Sequence, residues 1–241
     1  YTNSSNFPAT PGAYNITYSK LYDAFILKFD SGLTSVISAT FLGGKSSDFA
    51  NAIAFDAAGQ YVYIAGGTYS TDFPVTPGAY KSTEATSALN FNVFVAKLDK
   101  GLTTLSASTL FGGKSDEQAH SLAVSGQGNV YVTGLTRSTA FPTITGNYDT
   151  SFNGVYFDAF ISKLDGDLSS LLSSTFLGGT SADYANAITV DPSENVYIAG
   201  VTDSLNFPLT SGSVNDAAHY DIFAVKMNSS LTSLLSSVAF G

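Results

Sequence analysis

One repeat dominates this chain, and it limits the fold to arrays of a small supersecondary unit. The pair Phe-Pro occurs at Phe7-Pro8, Phe73-Pro74, Phe141-Pro142 and Phe207-Pro208, in steps of 66, 68 and 66 residues. A second signature follows each pair: Asp23-Ala24-Phe25, Asn92-Val93-Phe94, Asp158-Ala159-Phe160 and Asp221-Ile222-Phe223. Lys28, Lys97, Lys163 and Lys226 stand three residues after those phenylalanines. Glycine pairs come next, at Gly43-Gly44, Gly112-Gly113 and Gly178-Gly179, and Gly241 occupies the same place in the last unit. The fourth signature has three copies, Val62 to Gly66, Val130 to Gly134 and Val196 to Gly200. Self-similarity at a fixed period marks a repeat architecture.

Each unit reads as four short strands, rich in β-branched and aromatic residues and bounded by turn residues. In the first unit they fall near Ala24–Phe29, Ser35–Leu42, Asn51–Phe55 and Tyr61–Gly66. Asp30-Ser31-Gly32 and Asp99-Lys100-Gly101 are expected to be hairpin turns in which glycine supplies φ > 0. Ala57-Ala58-Gly59, Gln127-Gly128-Asn129 and Ser193-Glu194-Asn195 make a second turn. The prolines fall in the long connections, where a missing N–H costs nothing. No segment has sustained helical periodicity.

The strand around Phe25, Leu27 and Phe29 is apolar on its other side too, at Ala24 and Ile26. A strand apolar on both faces is covered on both. Four-stranded antiparallel sheets stacked radially supply that cover, which makes the expected fold an all-β propeller of about 66 residues per blade. A β-helix has shorter coils, and a row of sandwiches needs about 7 strands per domain. The expected units are 1–66, 67–134, 135–200 and an incomplete 201–241 in one repeat domain. The unfinished sheet is therefore expected at the C-terminal end, to be completed by continuation of the polypeptide or by another subunit, as a homo-oligomer or polymer.

The stretch from Leu42-Gly43-Gly44 through Asp48, Asn51-Ala52-Ile53, Gly59 and Val62 to Gly66, then Thr68 and Phe73 to Tyr80, resembles the SBBP (seven-bladed β-propeller) repeat. Further copies run from Leu110 to Tyr148 and from Leu177 to Val214. The resemblance implies a propeller found in large exported or cell-surface proteins, and no shared catalytic residues.

Charge narrows the partners. The net charge is −9, with Lys+Arg 10 and Arg137 the single arginine. Phosphate neutralisation needs lysine and arginine, so nucleic acid is an unsuitable partner, as is anionic lipid. No apolar run reaches the roughly 20 residues of a membrane-spanning helix. The chain has no cysteine, which excludes thiol chemistry and thiolate metal sites. It opens at Tyr1 without a signal-peptide pattern and reads as a processed or partial product.

The candidate chemical residues admit structural explanations. His120 fills the slot of Asn51 and Asn186 and reads as a hydrogen-bonding side chain rather than a general base. His219 has no motif partner for a triad. Asp48, Glu117 and Asp183, with Asp116 beside the second, follow the glycine pairs. They read as turn caps or as partners of Lys28, Lys97 and Lys163, against a calcium- or sugar-binding ring. The glycine pairs lack a phosphate-loop context. Tyr22, Phe91, Phe157 and Tyr220 precede the first strands and suit packing better than a sugar platform. Asn3, Asn15 and Asn228 begin glycosylation sequons. The expected role is a non-catalytic extracellular module, structural or adhesive, without cofactor or metal, whose partners are protein subunits or cell-surface glycans. The alternatives are a carbohydrate- or protein-binding propeller and a polysaccharide-active enzyme with its site in the central channel.

Overall fold

The computed structural model describes residues 1–81, 90–210 and 220–241. His219, and the end of the third copy from 211 to 214, lie outside these. Among the described residues there is no α-helix. Fourteen strands lie in the described residues. The first two, β1 (Ala24–Phe29) and β2 (Val36–Leu42), pair as a two-stranded antiparallel sheet.

Three four-stranded antiparallel sheets follow. The first comprises β3 (Asp48–Phe55), β4 (Tyr61–Thr68), β5 (Asn92–Asp99) and β6 (Leu105–Phe111). The next comprises β7 (Glu117–Val124), β8 (Val130–Thr136), β9 (Asp158–Leu164) and β10 (Leu171–Leu177). The last comprises β11 (Asp183–Val190), β12 (Val196–Thr202), β13 (Asp221–Met227) and β14 (Leu234–Phe240).

The expected strands exist, but the sheets are cut out of the repeat at a different place. β4 pairs with β5 across the long connection, from Tyr61↔Asp99 to Thr68↔Asn92. Each complete sheet thus joins the last two strands of one sequence unit to the first two of the next. The units 1–66, 67–134 and 135–200 are periods of the sequence, not hydrogen-bonded bodies. The strands β13 and β14 of the expected incomplete unit 201–241 belong to a complete sheet, and the two-stranded sheet lies at 24–42, the opposite end from that expected.

Each sheet turns one face, here called near, to the preceding sheet and a far face to the following one. The far-face residues Tyr63, Val93, Val95 and Phe111 share a core with the near-face residues Leu122, Val132, Phe160 and Phe176. Tyr131, Ala159, Ile161 and Leu177 pack in the same way on Ile188, Ile198, Phe223 and Val225. Ala24, Ile26 and Leu42 of the small sheet meet Val62, Ile64, Phe94 and Ala96. Apolarity on both sides of a strand is what this stacking requires.

The connection carrying Phe-Pro seals each sheet. Phe73 stacks on Phe94 and Phe207 on Phe223, both at 4.6 Å between ring centroids. Phe141 meets Phe160 at 4.6 Å and Phe7 meets Phe25 at 5.0 Å. Beyond each proline, the N–H groups of Thr10, Thr76, Ile144 and Thr210 donate to Ala39, Ser108, Ser174 and Ser237 on the outer strand. The outer edges of β2, β6 and β10 are thereby covered, the usual protection against edge-to-edge pairing.

The tight turns differ from expectation in one respect. The left-handed residue after Asp30, Asp99, Asp165 and Asn228 is a leucine: Leu33, Leu102, Leu168 and Leu231 have φ of 55°, 59°, 56° and 57°. Gly32 and Gly101 are not the positive-φ residues. Leu102, Leu168 and Leu231 are fully buried in the preceding inter-sheet core, and their carbonyls accept from Tyr14, Tyr80 and Tyr148 N–H. Packing and a hydrogen bond offset a conformation that costs an ordinary residue about 1–2 kcal/mol.

Candidate interaction surfaces and the repeat positions

Inner strands β3, β7 and β11 each carry a bulge, with the register shifting between Ala50 and Ala52, Ala119 and Ser121, and Ala185 and Ala187. The extra residue is Asn51, His120 or Asn186. A bulge residue leaves the ladder and re-aims its side chain. Asn51 Nδ2 donates to Ala119 O of the next sheet at 2.9 Å. His120 Nδ1 lies 3.2 Å from Ala185 O and 3.3 Å from Asn186 Oδ1. Burial lowers the His120 pKa. These side chains tie one sheet to the next. A Cβ at Gly66, Gly134 or Gly200 would run into the carbonyl of Phe49, Gln118 or Tyr184 beside the bulge.

The lysines also bridge sheets, through a partner with no sequence signature. Lys28, Lys97 and Lys163 Nζ donate to the carbonyls of Lys100, Gly166 and Ser229 at 3.1, 3.0 and 3.2 Å. Those carbonyls hold one place in the tight turn of the following sheet. Acids join only twice. Lys97 pairs with Asp167 at 3.0 Å and sits 4.5 Å over the Tyr61 ring. Lys163 pairs with buried Glu194 at 3.1 Å, and Tyr131 OH donates to the same oxygen at 3.2 Å. Ser125 donates to Glu194 as well. Burial opposes ionisation of Glu194, but the hydrogen bonds and the Lys163 charge outweigh it and lower its pKa. Glu194 has φ 63° in the slot where Gly59 and Gly128 have 62° and 85°. Lys226 lies 5.0 Å over the Tyr197 ring.

The repeated acids lie at the other end of the sheets and do not meet the lysines. Asp48 accepts from Gly44 N at 2.9 Å, from Ser70 Oγ at 3.0 Å and from Thr68 Oγ1. Asp183 accepts from Gly179 N at 2.7 Å and Ser204 Oγ at 2.8 Å. Glu117, longer by one methylene, brings an oxygen to the equivalent place beside Gly112, and both its oxygens are buried without a well-formed hydrogen bond. Burial is the main cause that pushes Glu117 up to about 8, with neighbouring Asp116 adding to it. Burial likewise raises Asp48 to about 6 and Asp158 to about 6. Among the described residues, no group of three or more His, Cys, Asp or Glu side chains is placed to hold a metal ion.

The aromatics before the first strands pack on the inner strands. Tyr22 and Phe91 meet Phe49 at 5.8 and 5.5 Å, while Phe157 and Tyr220 meet Tyr184 at 5.8 and 6.3 Å. Of the sequon residues, Asn3 is exposed. Asn15 Oδ1 accepts from Thr17 N, and Asn228 Oδ1 accepts from Thr232 N. Asn228 thus caps the turn that Asp30 and Asp99 cap elsewhere.

Residues 108–142 and 174–208 each match the SBBP family, described as a beta-propeller repeat. These two segments are similar to the SBBP β-propeller repeat. The matched segments each run from an outer strand, through the glycine pair and the inner hairpin, to Phe-Pro, so each match spans two adjoining sheets. No curated protein matches the chain. Among solved structures, Kuenenia stuttgartiensis hydrazine synthase is similar at 10% identity and a TM-score of 0.38. That alignment covers 95% of this chain and 66% of the other, so this chain spans just under two thirds of its length.

Among the described residues two apolar surfaces of the array of sheets stay uncovered. On the far face of the last sheet, Tyr197, Ile222, Val238 and Phe240 are 38%, 51%, 37% and 51% exposed. Their counterparts Tyr131, Ala159, Thr175 and Leu177 are fully buried. A shallow groove of about 460 Å³ crosses that face. The second surface is a groove of about 310 Å³ between β1 and the β3–β4 face, lined by Phe25, Leu27, Asn51, Ile53 and Ile64.

Proposed function

We propose that this chain is a non-catalytic structural module of an exported or cell-surface protein, and that it works by packing against further sheets of its own kind. One observation carries the reading: the far face of β11–β14 presents the apolar residues that every earlier far face buries against a following sheet. A face of this size and polarity marks an interaction site. The repeat lysines, bulge residues and Asp48 and Asp183 are engaged in holding sheets or turns together, which supports a structural over a catalytic role. The low charged fraction of 12% and the lack of cysteine fit a surface hydrated by hydroxyls and amides outside the cell.

The test is sedimentation velocity across the micromolar range, with a second copy of the chain as the partner. Reversible self-association is expected, and Ala224→Glu combined with Val238→Glu on the far face abolishes it. A wild-type chain that stays monomeric throughout overturns the proposal. A second reading, glycan binding, is favoured by the exposed rings of Tyr22 and Tyr220 at the ends of the aromatic row, 42% and 57% accessible. A glycan array on which Tyr220→Ala loses binding would support it.

A further inference from the structure

We infer that Lys163 and Asn129 join to each other, with no helper protein, through an isopeptide bond whose formation Glu194 catalyses. The inference is independent of the assembly reading above and assigns a covalent modification to one contact between neighbouring sheets.

β8 and β9 pair antiparallel, with Tyr131 opposite Lys163. Asn129 stands two residues before Tyr131, and side chains two apart on extended chain share a face. Glu194, from the tight turn between β11 and β12 of the following sheet, is seated against all three. Its Oε2 lies 3.1 Å from Lys163 Nζ and 3.3 Å from Asn129 Nδ2, and its Oε1 lies 3.4 Å from the same amide nitrogen. Tyr131 OH donates to Oε2 at 3.2 Å and Ser125 Oγ donates to Oε1, so the carboxylate is held between the amine and the carboxamide. Asn129 N donates to Ser125 Oγ at 3.2 Å and Asn129 O accepts from Ser125 N at 2.9 Å, which fixes the backbone that carries the amide. The Lys163 and Glu194 side chains are only 13% and 7% exposed, and Asn129 is half-buried beside them. The arrangement thus brings an amine, a carboxamide and a bridging acid together where bulk water has little access.

The chemistry needs no further reagent. The Lys163 ammonium passes one proton to Glu194, and the freed lone pair on Nζ attacks Cγ of Asn129. The new C–N bond forms as the carbonyl π pair moves onto Oδ1. Glu194 gives its proton to Nδ2 and takes a second one from Nζ. The pair on Oδ1 then returns, the Cγ–Nδ2 bond breaks, and the departing ammonia removes that second proton as ammonium. An ammonium and a carboxamide become a secondary amide and free ammonium, nothing is oxidised or reduced, and Glu194 is again a carboxylate. A positioned carboxylate serving as base and then as acid is general acid–base catalysis. Holding both reactants in one site replaces a bimolecular encounter. The neighbouring sheets lack this set. Lys97 faces the Tyr61 ring where the next sheet has Asn129, and its acid, Asp167, is 87% exposed at the side chain. In the last sheet Asn195 Nδ2 donates to Asp191 of its own turn at 2.8 Å, while Lys226 lies 5.0 Å over the Tyr197 ring. The bond at Lys163 ties β8 to β9 across the connection carrying Phe141-Pro142 and closes residues 129–163 into a covalent loop. Such closure restricts the unfolded chain, which suits a structural module.

The test is the intact mass of the full chain after the folded protein has been held at neutral pH. The expected result is the loss of one ammonia, at high yield, in the wild type. Trypsin should then fail to cut after Lys163, and the peptide 115–137 should be recovered joined to the one that begins at residue 138. Asn129→Ala and Glu194→Gln, each checked for native circular dichroism, should keep their full mass and be cut after Lys163. A wild type at its full mass overturns the inference. So does an ammonia loss that leaves cleavage after Lys163 intact, because a succinimide formed at an asparagine changes the mass by the same amount. A crosslink that persists in Glu194→Gln overturns the catalytic assignment and the inference with it. If either variant fails to fold, the wild-type mass and digest decide alone.

Discussion

Replacing Glu117 by glutamine should make the protein more stable at neutral pH and remove a pH dependence that the wild type carries. Glu117 is fully buried, lacks a well-formed hydrogen bond, and is raised from 4.5 to about 8 by burial and by Asp116. Its folded-state pKa lies above its unfolded value. The folded state therefore holds the proton more tightly, and stability is lost as pH rises toward 8. One pKa unit is worth about 1.36 kcal/mol, so at pH 7, where Glu117 is ionised in the unfolded chain and takes up a proton on folding, the group lowers stability by about 3 kcal/mol. Between pH 6 and 8.5 this group alone should remove about 2.5 kcal/mol from the wild type. Glutamine keeps the shape and cannot ionise. Urea unfolding followed by circular dichroism at several pH values measures the difference between the two proteins. His120 is common to both and cancels. Parallel stability–pH profiles for wild type and Glu117→Gln would refute the reasoning.

Three further outcomes follow from the same geometry. Lys163→Met strands Glu194 in the interior and should cost about 3–5 kcal/mol, whereas Lys97→Met leaves Asp167, 87% exposed at its side chain, in water and should cost about 1–2 kcal/mol; thermal melts rank the two. Leu33→Gly relieves a left-handed leucine that is 75% exposed and should stabilise by up to about 1 kcal/mol, while Leu168→Gly, at a similar φ but fully buried, should destabilise by about 2 kcal/mol or more. Phe73→Ala removes a ring that is 4% exposed and stacked on Phe94, and should cost about 3–5 kcal/mol in denaturant unfolding.

The strands, their order and the stacking of their faces were legible because period-2 apolarity on both sides of Phe25 or Phe94 has few solutions. The phase of the sheets was not. A period of 66 residues fixes the length of a repeat but not where a sheet begins, and short hairpins favour grouping β1 to β4 together. The pairing that decides the phase, Tyr61 with Asp99, spans the connection carrying Phe-Pro. A signal for it existed in Thr2-Asn3-Ser4, Thr68-Tyr69-Ser70, Thr136-Arg137-Ser138 and Thr202-Asp203-Ser204, which mark the end of one inner strand at each unit. The lysine contacts were half legible: the repeat position announced a structural role, but a backbone carbonyl partner leaves no trace in composition. The left-handed leucines were hidden by the glycines beside them, since Gly32 and Gly101 offered the easier explanation of the turn. Their fourfold recurrence three residues before the start of an outer strand was the available clue.

The claim on which both uncovered surfaces depend is that each complete sheet takes its inner hairpin from one repeat and its outer hairpin from the next. Directly paired antiparallel residues lie within disulfide reach, and the chain has no cysteine to interfere. Tyr61→Cys with Asp99→Cys, oxidised in the folded protein and read by mass spectrometry, is the most direct test. An intramolecular Tyr61→Cys–Asp99→Cys crosslink at high yield is the predicted result. A folded double variant in which both thiols stay free under oxidation would contradict the pairing of β4 with β5.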